Sequence, residues 1–310
     1  FSLPAMHQLA TQKMLQGVVT LAPSNKNNIS VEMCARYLDI PFRRFIRTDV
    51  DKAFKTYLED AKPDLVLVFG CGVKLPVTLF DIPKFGFYNV HFSLLPKYRG
   101  NAPVFWQIKN GEETGGITIH KMAEEYDTGP MLMQQPVVIS AGENLGLYTT
   151  RLGAESAALI SKAIEKLNTT GDSLLLEQDE SAASHYPRVD ADAMKIDWEK
   201  QSAKEIENLV NACNPENGGA ITSLRGQPFR ILEVNLAQLN APGAYAPGTV
   251  VHSDMNYGVF VACRDAQYLR LNVIQIPEGI MSGFKLPALG IAAGERFENA
   301  DQLIDVTIKP

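Results

Sequence analysis

The chain has 310 residues, of which 45% are hydrophobic and 21% are charged, a composition typical of a globular protein long enough for two domains. The formal net charge of −6 gives no sign of a polyanionic partner, so any basic surface would have to be a local patch. Apolar runs such as Leu65–Phe69 are far too short to span a bilayer, and the first residues lack the pattern of a signal peptide. We therefore predict a cytoplasmic protein without a membrane partner.

The first half of the chain alternates predicted strands and helices. Apolar runs rich in β-branched residues predict strands at 15–22 and 63–70, and apolar residues at helical spacing predict helices at 28–40 and 50–61. This alternation is typical of a parallel sheet covered by helices. Three further strands and one long helix are predicted at 86–92, 115–122, 130–139 and 144–171.

The second part of the chain has a different pattern. The polar stretch 172–198 is interpreted as a connector on the surface, and a predicted helix at 202–213 follows it. Short strands separated by glycine and proline come next, at 219–239, 248–253, 257–263 and 267–277. That pattern favours a small antiparallel barrel.

The predicted fold class is therefore α/β, with a doubly wound, mostly parallel, Rossmann-like sheet and a second, OB-like domain. We expect the sheet domain in residues 1–178, a linker at 179–198 and the barrel-like domain at 199–310. The four cysteines form no CxxC pair, which predicts reduced thiols and neither a disulfide framework nor a zinc site.

Polar side chains interrupt the strand predicted at 86–92. Asn89 and His91 alternate along it, so both point to the same side, and open α/β sheets bind ligands at the carboxyl ends of their strands. An amide beside an imidazole can stabilise an oxyanion and move a proton. Asp127, in an Asp-Thr-Gly turn, supplies a carboxylate that can orient an imidazole. Taken singly, a strand histidine and an Asp-Thr-Gly turn are more often structural.

The stretch "NVHFSLLPKYRGNAPVFWQIKNGEETGGITIHKMAEEYDTGPML" closely resembles the signature of the folate-dependent formyltransferases. Their pattern is Asn-x-His-x-Ser-Leu-Leu-Pro-x-x-Arg-Gly, with Asp-Thr-Gly downstream. The stretch "DWEKQSAKEIENLVNACNPENGGAITSLRGQPFRIL" is similar to the start of the second domain of the methionyl-tRNA formyltransferases within that family. The resemblance covers nearly the whole chain, and it implies that the family's first strand precedes Phe1.

The resemblance implies a reaction that takes the formyl group of 10-formyltetrahydrofolate to a primary amine, with no metal. Asn89, His91 and Asp127 match the catalytic trio, in which Asn89 and a protonated His91 hold the oxyanion and Asp127 orients His91. The residues implied at the folate donor are Phe69, Gly70, Cys71, Gly72, Val73, Leu94, Leu95, Pro96, Glu124, Glu125 and Tyr126. Those implied at the acceptor are Ser93, Lys97, Arg99 and Gly100. Ser93 is expected to cap its loop and not to act as a nucleophile, since there is no G-x-S-x-G elbow.

Two acceptors stay open. The second domain favours the amino group of initiator methionyl-tRNA, whereas the loop "LAPSNKNNISVEMC", with Lys26 as its one basic residue, does not require tRNA. The turn Asn214–Ala220 also lacks the Trp of that subgroup. The alternative acceptor is a nucleotide-linked amino sugar.

Two other classes of function are weaker. A catalytically silent folate- or RNA-binding module has no physical reason to keep Asn89, His91 and Asp127 together. A dehydrogenase is excluded because the α/β half lacks a glycine fingerprint for a dinucleotide.

Overall fold

The computed structural model describes residues 1–21, 26–239 and 243–300. The chain divides into two compact units that are interleaved in sequence. The first unit comprises Phe1–Pro103, Thr114–Val138 and Thr149–Pro187, and the second comprises Val104–Glu113, Ile139–Tyr148 and the chain from Arg188 onward. The domain boundaries that we expect from the sequence stay a prediction. Part of the loop around Lys26, and the end of the strand predicted at 15–22, lie outside the described residues.

Helices and strands alternate from the beginning of the chain, as the hydrophobic pattern predicts. The helices up to residue 170 are α1 (Leu3–Thr11), α2 (Lys26–Tyr37), α3 (Lys55–Ala61), α4 (Pro103–Lys109) and α5 (Leu145–Thr170). The strands are β1 (Val18–Thr20), β2 (Phe42–Arg44), β3 (Val66–Val68), β4 (Phe87–His91), β5 (Thr114–Lys121) and β6 (Met131–Val138). The sequence pattern did not reveal α1, β2 or α4, which are short and lack a long apolar period.

The sheet that carries the candidate site has the strand order β3-β4-β5-β6. Strands β3 and β4 are parallel, whereas β4 with β5 and β5 with β6 are antiparallel. The α/β class is confirmed, and the sheet is mixed. The connection between β5 and β6, residues 122–130, is shorter than the roughly dozen residues that a parallel crossover needs, and β6 runs antiparallel to β5.

Burial of apolar side chains fixes the middle strands of this sheet. Phe87 and Val90 of β4 are buried, as are Ile117 and Ile119 of β5. Strands that are covered on both faces need such continuous apolar runs. The polar groups of Asn89 and His91 therefore stand out within an otherwise apolar strand.

The second unit carries an antiparallel sheet with the order β13-β7-β8-β11-β10-β9, and β12 pairs with β11. Its elements are α6 (Ala203–Cys213), β7 (Ala220–Leu224), β8 (Gln227–Ala237), β9 (Val250–Asp254), β10 (Gly258–Ala262), β11 (Tyr268–Ile276), β12 (Gly279–Ser282) and β13 (Phe297–Glu298). A bridge between Thr249 and Arg296 joins the two ends of this strand order, so the sheet curls back on itself. The predicted barrel-like class of the second domain is confirmed.

Helix α6 begins with a capping box. The hydroxyl of Ser202 accepts from the backbone N–H of Glu205, and the Glu205 carboxylate accepts from the backbone N–H of Ser202. Both contacts satisfy N–H groups that a helix start leaves without a partner. Trp198 precedes this helix, is 1% exposed and donates its indole N–H to Thr222.

The interpretation of 172–198 as a surface connector is wrong for part of the segment. Gln178, Ile196 and Trp198 are buried. A polar composition does not require exposure, because an amide or indole can be buried when its hydrogen bonds are satisfied.

Across the described residues, no helix is long and apolar enough to cross a membrane. All four cysteines are free thiols.

Candidate active site

The candidate site lies where β4 ends. Asn89 and His91 are two residues apart on β4 and therefore share one side of the sheet. In the register between the two strands, His120 of β5 lies opposite Asn89. The pairing of β4 with β5 thus adds a second imidazole, that of His120, to the predicted Asn89 and His91.

The turn between β5 and β6 brings Asp127 to the same place. Asp127 has a φ of 58°, a left-handed conformation that Asp tolerates better than most residues. Two residues later, a Cβ on Gly129 would lie 1.8 Å from the carbonyl oxygen of Lys121. The Asp-Thr-Gly sequence therefore places a carboxylate residue in the left-handed conformation two residues before Gly129. At that position only glycine is small enough to fit against β5.

Three side chains lie close to one carboxylate oxygen of Asp127. Asp127 Oδ1 lies 3.3 Å from Asn89 Nδ2, 3.5 Å from His91 Nδ1 and 3.5 Å from His120 Nε2. Asn89 Nδ2 also lies 3.3 Å from His120 Nε2. The sequence predicts three site residues from two separate motifs. The structure places all three within reach of one another, namely Asn89, His91 and Asp127.

The loop after β4 fixes the other sides of His91 and Asp127. His91 Nε2 lies 2.9 Å from the carbonyl oxygen of Tyr98. Because a carbonyl can only accept, this contact assigns the proton to Nε2 and leaves Nδ1 facing Asp127. The backbone N–H of Gly100 donates to Asp127 Oδ2 at 2.9 Å.

Burial and hydrogen bonding set the charges of the site. Burial raises the pKa of Asp127, but hydrogen bonds with His120 and Gly100 and the nearby His91 outweigh this and lower it to about 2. Burial lowers the pKa of His91 below its ordinary 6.5, against the opposing effects of Asp127 and the Tyr98 carbonyl. The resting site therefore favours an ionised carboxylate and a neutral imidazole. The protonated His91 that the resemblance implies is disfavoured in this state.

The residues predicted at the folate donor fall on three loops of the first unit. Phe69, Gly70, Cys71, Gly72 and Val73 follow β3, and they are exposed or half-buried. Glu124, Glu125 and Tyr126 are exposed in the turn before Asp127. Lys74 links these two loops, with its ammonium 3.5 Å from Glu125 and 5.9 Å from the ring centre of Tyr126.

The third loop follows His91 directly. Leu95 donates its backbone N–H to the hydroxyl of Thr118 at 3.2 Å, and Pro96 follows it through a cis peptide bond. Leu94 packs so closely on β5 that a Cβ on Gly116 would lie 2.4 Å from its side chain. The roles of all these residues toward the donor stay a prediction.

The four residues predicted at the acceptor differ in burial and in their contacts. Ser93 is fully buried and donates its hydroxyl to the carbonyl of Lys97 at 2.7 Å, as expected of a loop cap. Lys97 is exposed. Arg99 is 1% exposed, with its guanidinium bound by Gln178 and Glu180, so this geometry favours a structural role. Gly100 contacts Asp127 through its backbone. Contact of any of them with the acceptor stays a prediction.

Sequence reasoning missed two side chains in this region. His120 is 2% exposed; its Nδ1 lies 3.0 Å from the carbonyl oxygen of Lys121, and its Nε2 faces Asn89 and Asp127. The available signal was its place in the strand predicted at 115–122. Gln178 is the second, and its sequence context, a polar connector, concealed it.

The arrangement suits proton transfer beside a polarised carbonyl. The neutral His91 Nδ1 can accept a proton, and Asp127 stabilises the imidazolium that results. Asn89 offers amide N–H groups whose contacts, at 3.3 Å, are long enough to be exchanged for a better acceptor. Within the described residues, no group of three or more His, Cys, Asp or Glu side chains is arranged to hold a metal ion.

Comparison with known proteins places both parts of the chain in one family. The formyl transferase family matches residues 4–164, and the formyl transferase C-terminal domain matches residues 188–285. A methionyl-tRNA formyltransferase of Aromatoleum aromaticum is 36% identical over 240 residues, which cover 77% of this chain and 73% of the relative. One from Clostridium beijerinckii is 34% identical over 241 residues, covering 78% and 76%.

Solved structures share the fold at low identity. HypX from Aquifex aeolicus, in complex with tetrahydrofolic acid, matches with a TM-score of 0.64 and 17% identity, over 88% of this chain and 47% of HypX. WlaRD, a sugar 3N-formyl transferase solved with dTDP and 5-N-formyl-THF, matches with a TM-score of 0.61 and 16% identity, over 85% of this chain and 92% of WlaRD.

Proposed function

Since this chain belongs to the folate-dependent formyl transferase family, we propose that it transfers the formyl group of 10-formyltetrahydrofolate to the amino group of methionyl-tRNA. The observation that carries the chemistry is the convergence of Asn89, His91 and Asp127 at one carboxylate oxygen. The acceptor is supported by the relatives at about 35% identity, which are methionyl-tRNA formyltransferases.

Two loops beside the site are the candidate contacts for the donor. The backbone at Gly70 and Gly72 is exposed, and a Cβ on Gly72 would meet nothing within 4 Å, so the polar backbone groups there are accessible. The exposed turn at Glu124–Tyr126 is the other candidate contact for the donor. These loops would hold the ring system that carries the formyl group, and the donor supplies that group as an activated carbonyl.

Three side chains have separate roles in the transfer. The amine attacks the formyl carbon while Asn89 donates to the formyl oxygen, where negative charge develops. His91 Nδ1 accepts the proton that the amine loses, and Asp127 stabilises the imidazolium at 3.5 Å. The protonated His91 then returns the proton to the leaving nitrogen of the donor.

The catalytic assignment is tested with His91→Ala and Asp127→Ala in the full chain. Loss of a general base or of its carboxylate partner is expected to lower kcat about 10²- to 10⁴-fold. Circular dichroism and thermal unfolding verify that each variant folds. Normal turnover in a folded His91→Ala protein would refute this assignment.

The acceptor is tested with labelled 10-formyltetrahydrofolate and two acceptors, initiator tRNA charged with methionine and a dTDP-linked amino sugar. We expect transfer to the tRNA. The amino sugar is the second candidate because the loop at 21–34 has Lys26 as its one basic residue, which gives little charge for holding a tRNA end. Transfer to the sugar alone would reverse the order of the two proposals.

A further inference from the structure

Gln178 is a buried amide whose hydrogen-bonding groups are all used. It is 8% exposed. Its Nε2 donates to the carbonyls of Asp127 and Gly129, both at 2.8 Å. Its Oε1 accepts from Arg99, at 3.2 Å from Nε and 2.7 Å from Nη2. A side chain with two donors and two acceptor sites is fully satisfied by this set.

The two carbonyls that Gln178 binds lie on either side of Thr128. They belong to Asp127, whose backbone is in the left-handed region, and to Gly129, which is packed against β5. Without Gln178, both carbonyls would lose a partner in a region with little access to water, which costs about 1–3 kcal/mol for each buried group. The turn that aims the Asp127 carboxylate therefore depends on this amide.

The other side of the amide reaches the loop after β4. Arg99 is held between Gln178 and Glu180, with Nη1 and Nη2 at 2.8 and 2.6 Å from the two Glu180 oxygens. Arg99 stands between Tyr98, whose carbonyl accepts from His91, and Gly100, whose N–H donates to Asp127. One side chain thus connects the backbone of Asp127 to the loop that holds both catalytic groups.

The chain that follows Gln178 supports the same loop through its backbone. Arg99 donates its N–H to the carbonyl of Ser184, and Tyr186 donates its N–H to the carbonyl of Arg99, both at 2.9 Å. The rings of Tyr98 and Tyr186 stack with centroids 4.7 Å apart and planes at 8°. Tyr98 keeps a φ of 60°, a sparsely populated conformation for a non-glycine residue that its neighbours must hold.

We propose that Gln178 is a positioning residue of the formyl-transfer site, which locks the Asp127 turn to the Tyr98–Gly100 loop. The inference rests on the proposed function and adds to it a residue that touches neither donor nor acceptor. Its effect passes through Asp127 and Gly100, whose 2.9 Å contact sets the direction of the carboxylate. Displacements of about 1 Å in such a constellation are enough to cost about a hundredfold in rate.

The test compares two substitutions at Gln178 in the full chain. Gln178→Met keeps the length of the side chain and removes every hydrogen bond. Gln178→Glu keeps an acceptor for Arg99 but cannot donate to the two carbonyls. If the carbonyl contacts are the ones that matter, both variants lose roughly 10- to 100-fold in kcat, with the KM of the formyl donor within about twofold.

Gln135→Met is the matched control. Gln135 lies on β6 in the same unit, and its side-chain amide donates to Glu155 on α5 at 2.6 Å. The substitution removes a glutamine hydrogen bond of similar length, so it reports the general cost of losing one. Its kcat is expected to stay within about twofold of the parent.

A second readout needs no substrate. The Gly100 amide, which donates to the Asp127 carboxylate, is expected to exchange its hydrogen at least about tenfold faster in Gln178→Met and Gln178→Glu. The Leu95 amide, which donates to Thr118, serves as an internal reference and should be unchanged. A merely structural loss of stability would raise the exchange of both amides together.

The outcomes separate this inference from the proposed function. A kcat within about twofold of the parent in either Gln178 variant, equal losses in Gln135→Met, or unchanged Gly100 exchange would each overturn the positioning role. If the parent chain transfers no formyl group to any amine, the proposed function fails. The exchange of Gly100 then still decides whether Gln178 holds the turn and the loop together.

Discussion

His91 shows how one side chain combines opposing requirements. Its Nε2 proton is fixed by the Tyr98 carbonyl, and its Nδ1 faces a carboxylate, a partner that favours the charged form. Burial favours the neutral form and prevails, so the pKa lies below 6.5. A neutral imidazole whose unprotonated nitrogen faces a carboxylate is suited to accept a proton, because that carboxylate stabilises the imidazolium.

The pH dependence of transfer follows from that pKa. Because neutral His91 is the reactive form, kcat/KM is expected to rise with pH, with a midpoint below about 6.5, and to stay level up to about pH 8. Steady-state transfer between about pH 4.5 and 8.5 measures this. His252→Gln, which changes a half-buried histidine of the second unit, should keep the same profile. Activity that falls as the pH rises through about 6 to 7 would indicate that the protonated form is required.

The lowered pKa of Asp127 leads to a second prediction, which concerns the stability of the protein in acid. Its folded-state pKa of about 2 lies below the ordinary 3.8, so its stabilising contribution is complete above about pH 4 and is lost as the pH falls toward 2. The contribution amounts to about 2 kcal/mol. Urea unfolding measures the free energy of unfolding of the parent and of Asp127→Asn. The advantage of the parent over the variant should be about 2 kcal/mol smaller at pH 2 than at pH 5. A difference that does not change with pH would contradict this assignment.

At the scale of elements, β4 and β5 act as one platform. Tyr88 and Lys121, which are paired in the register next to Asn89 and His120, both contact the carboxylate of Asp172 just after α5. The Tyr88 hydroxyl lies 2.8 Å from that carboxylate. The residues adjacent to the two site side chains are therefore held by a common anchor, which fixes the strands relative to each other.

The β5–β6 turn gives a prediction at the same scale. A methyl group at Gly129 would overlap the Lys121 carbonyl at 1.8 Å, and the turn must shift to relieve it. Gly129→Ala is expected to lower the unfolding free energy by about 2–4 kcal/mol and kcat by at least about tenfold.

Gly142→Ala is the control for Gly129→Ala. Gly142 has a φ of +74°, and a Cβ added there would meet nothing within 4 Å, so only backbone strain remains. We expect that strain to cost about 1 kcal/mol. Denaturant unfolding and steady-state transfer compare the two variants. Equal losses of stability and activity would remove the Gly129 contact from the explanation.

At the scale of the whole molecule, charge limits how the proposed tRNA acceptor would be held. The net charge is −6, and basic side chains of the second unit such as Arg225 and Lys204 are already paired with Glu295 and Glu207. Few cations are therefore expected to meet phosphates, since each such contact releases counterions and steepens the salt dependence.

The salt dependence of acceptor binding tests this expectation. The slope of log K against log salt concentration for charged initiator tRNA should be roughly −3 or shallower. Fluorescence titration between about 50 and 300 mM salt measures it, and donor binding under the same conditions serves as the control. A slope of about −6 or steeper would mean that a broad basic surface takes part.

The sequence by itself determined the features that depend on short spacing. Alternation along one strand puts Asn89 and His91 on the same side, and Asp-Thr-Gly specifies a turn that suits a left-handed Asp127. Apolar periods marked β4, β5 and α5 for the same reason, since the period of a strand or helix is a local property. The short elements α1 and α4 left no such period.

Only the tertiary structure decided which distant groups meet and what charge they carry. His120 enters the site through the register of β5, and Gln178 reaches Asp127 from a segment whose composition suggested solvent. The neutral state of His91 depends on burial, which no local pattern reports. Contacts between segments far apart in the chain, and the water they exclude, are set by packing and not by neighbours in sequence.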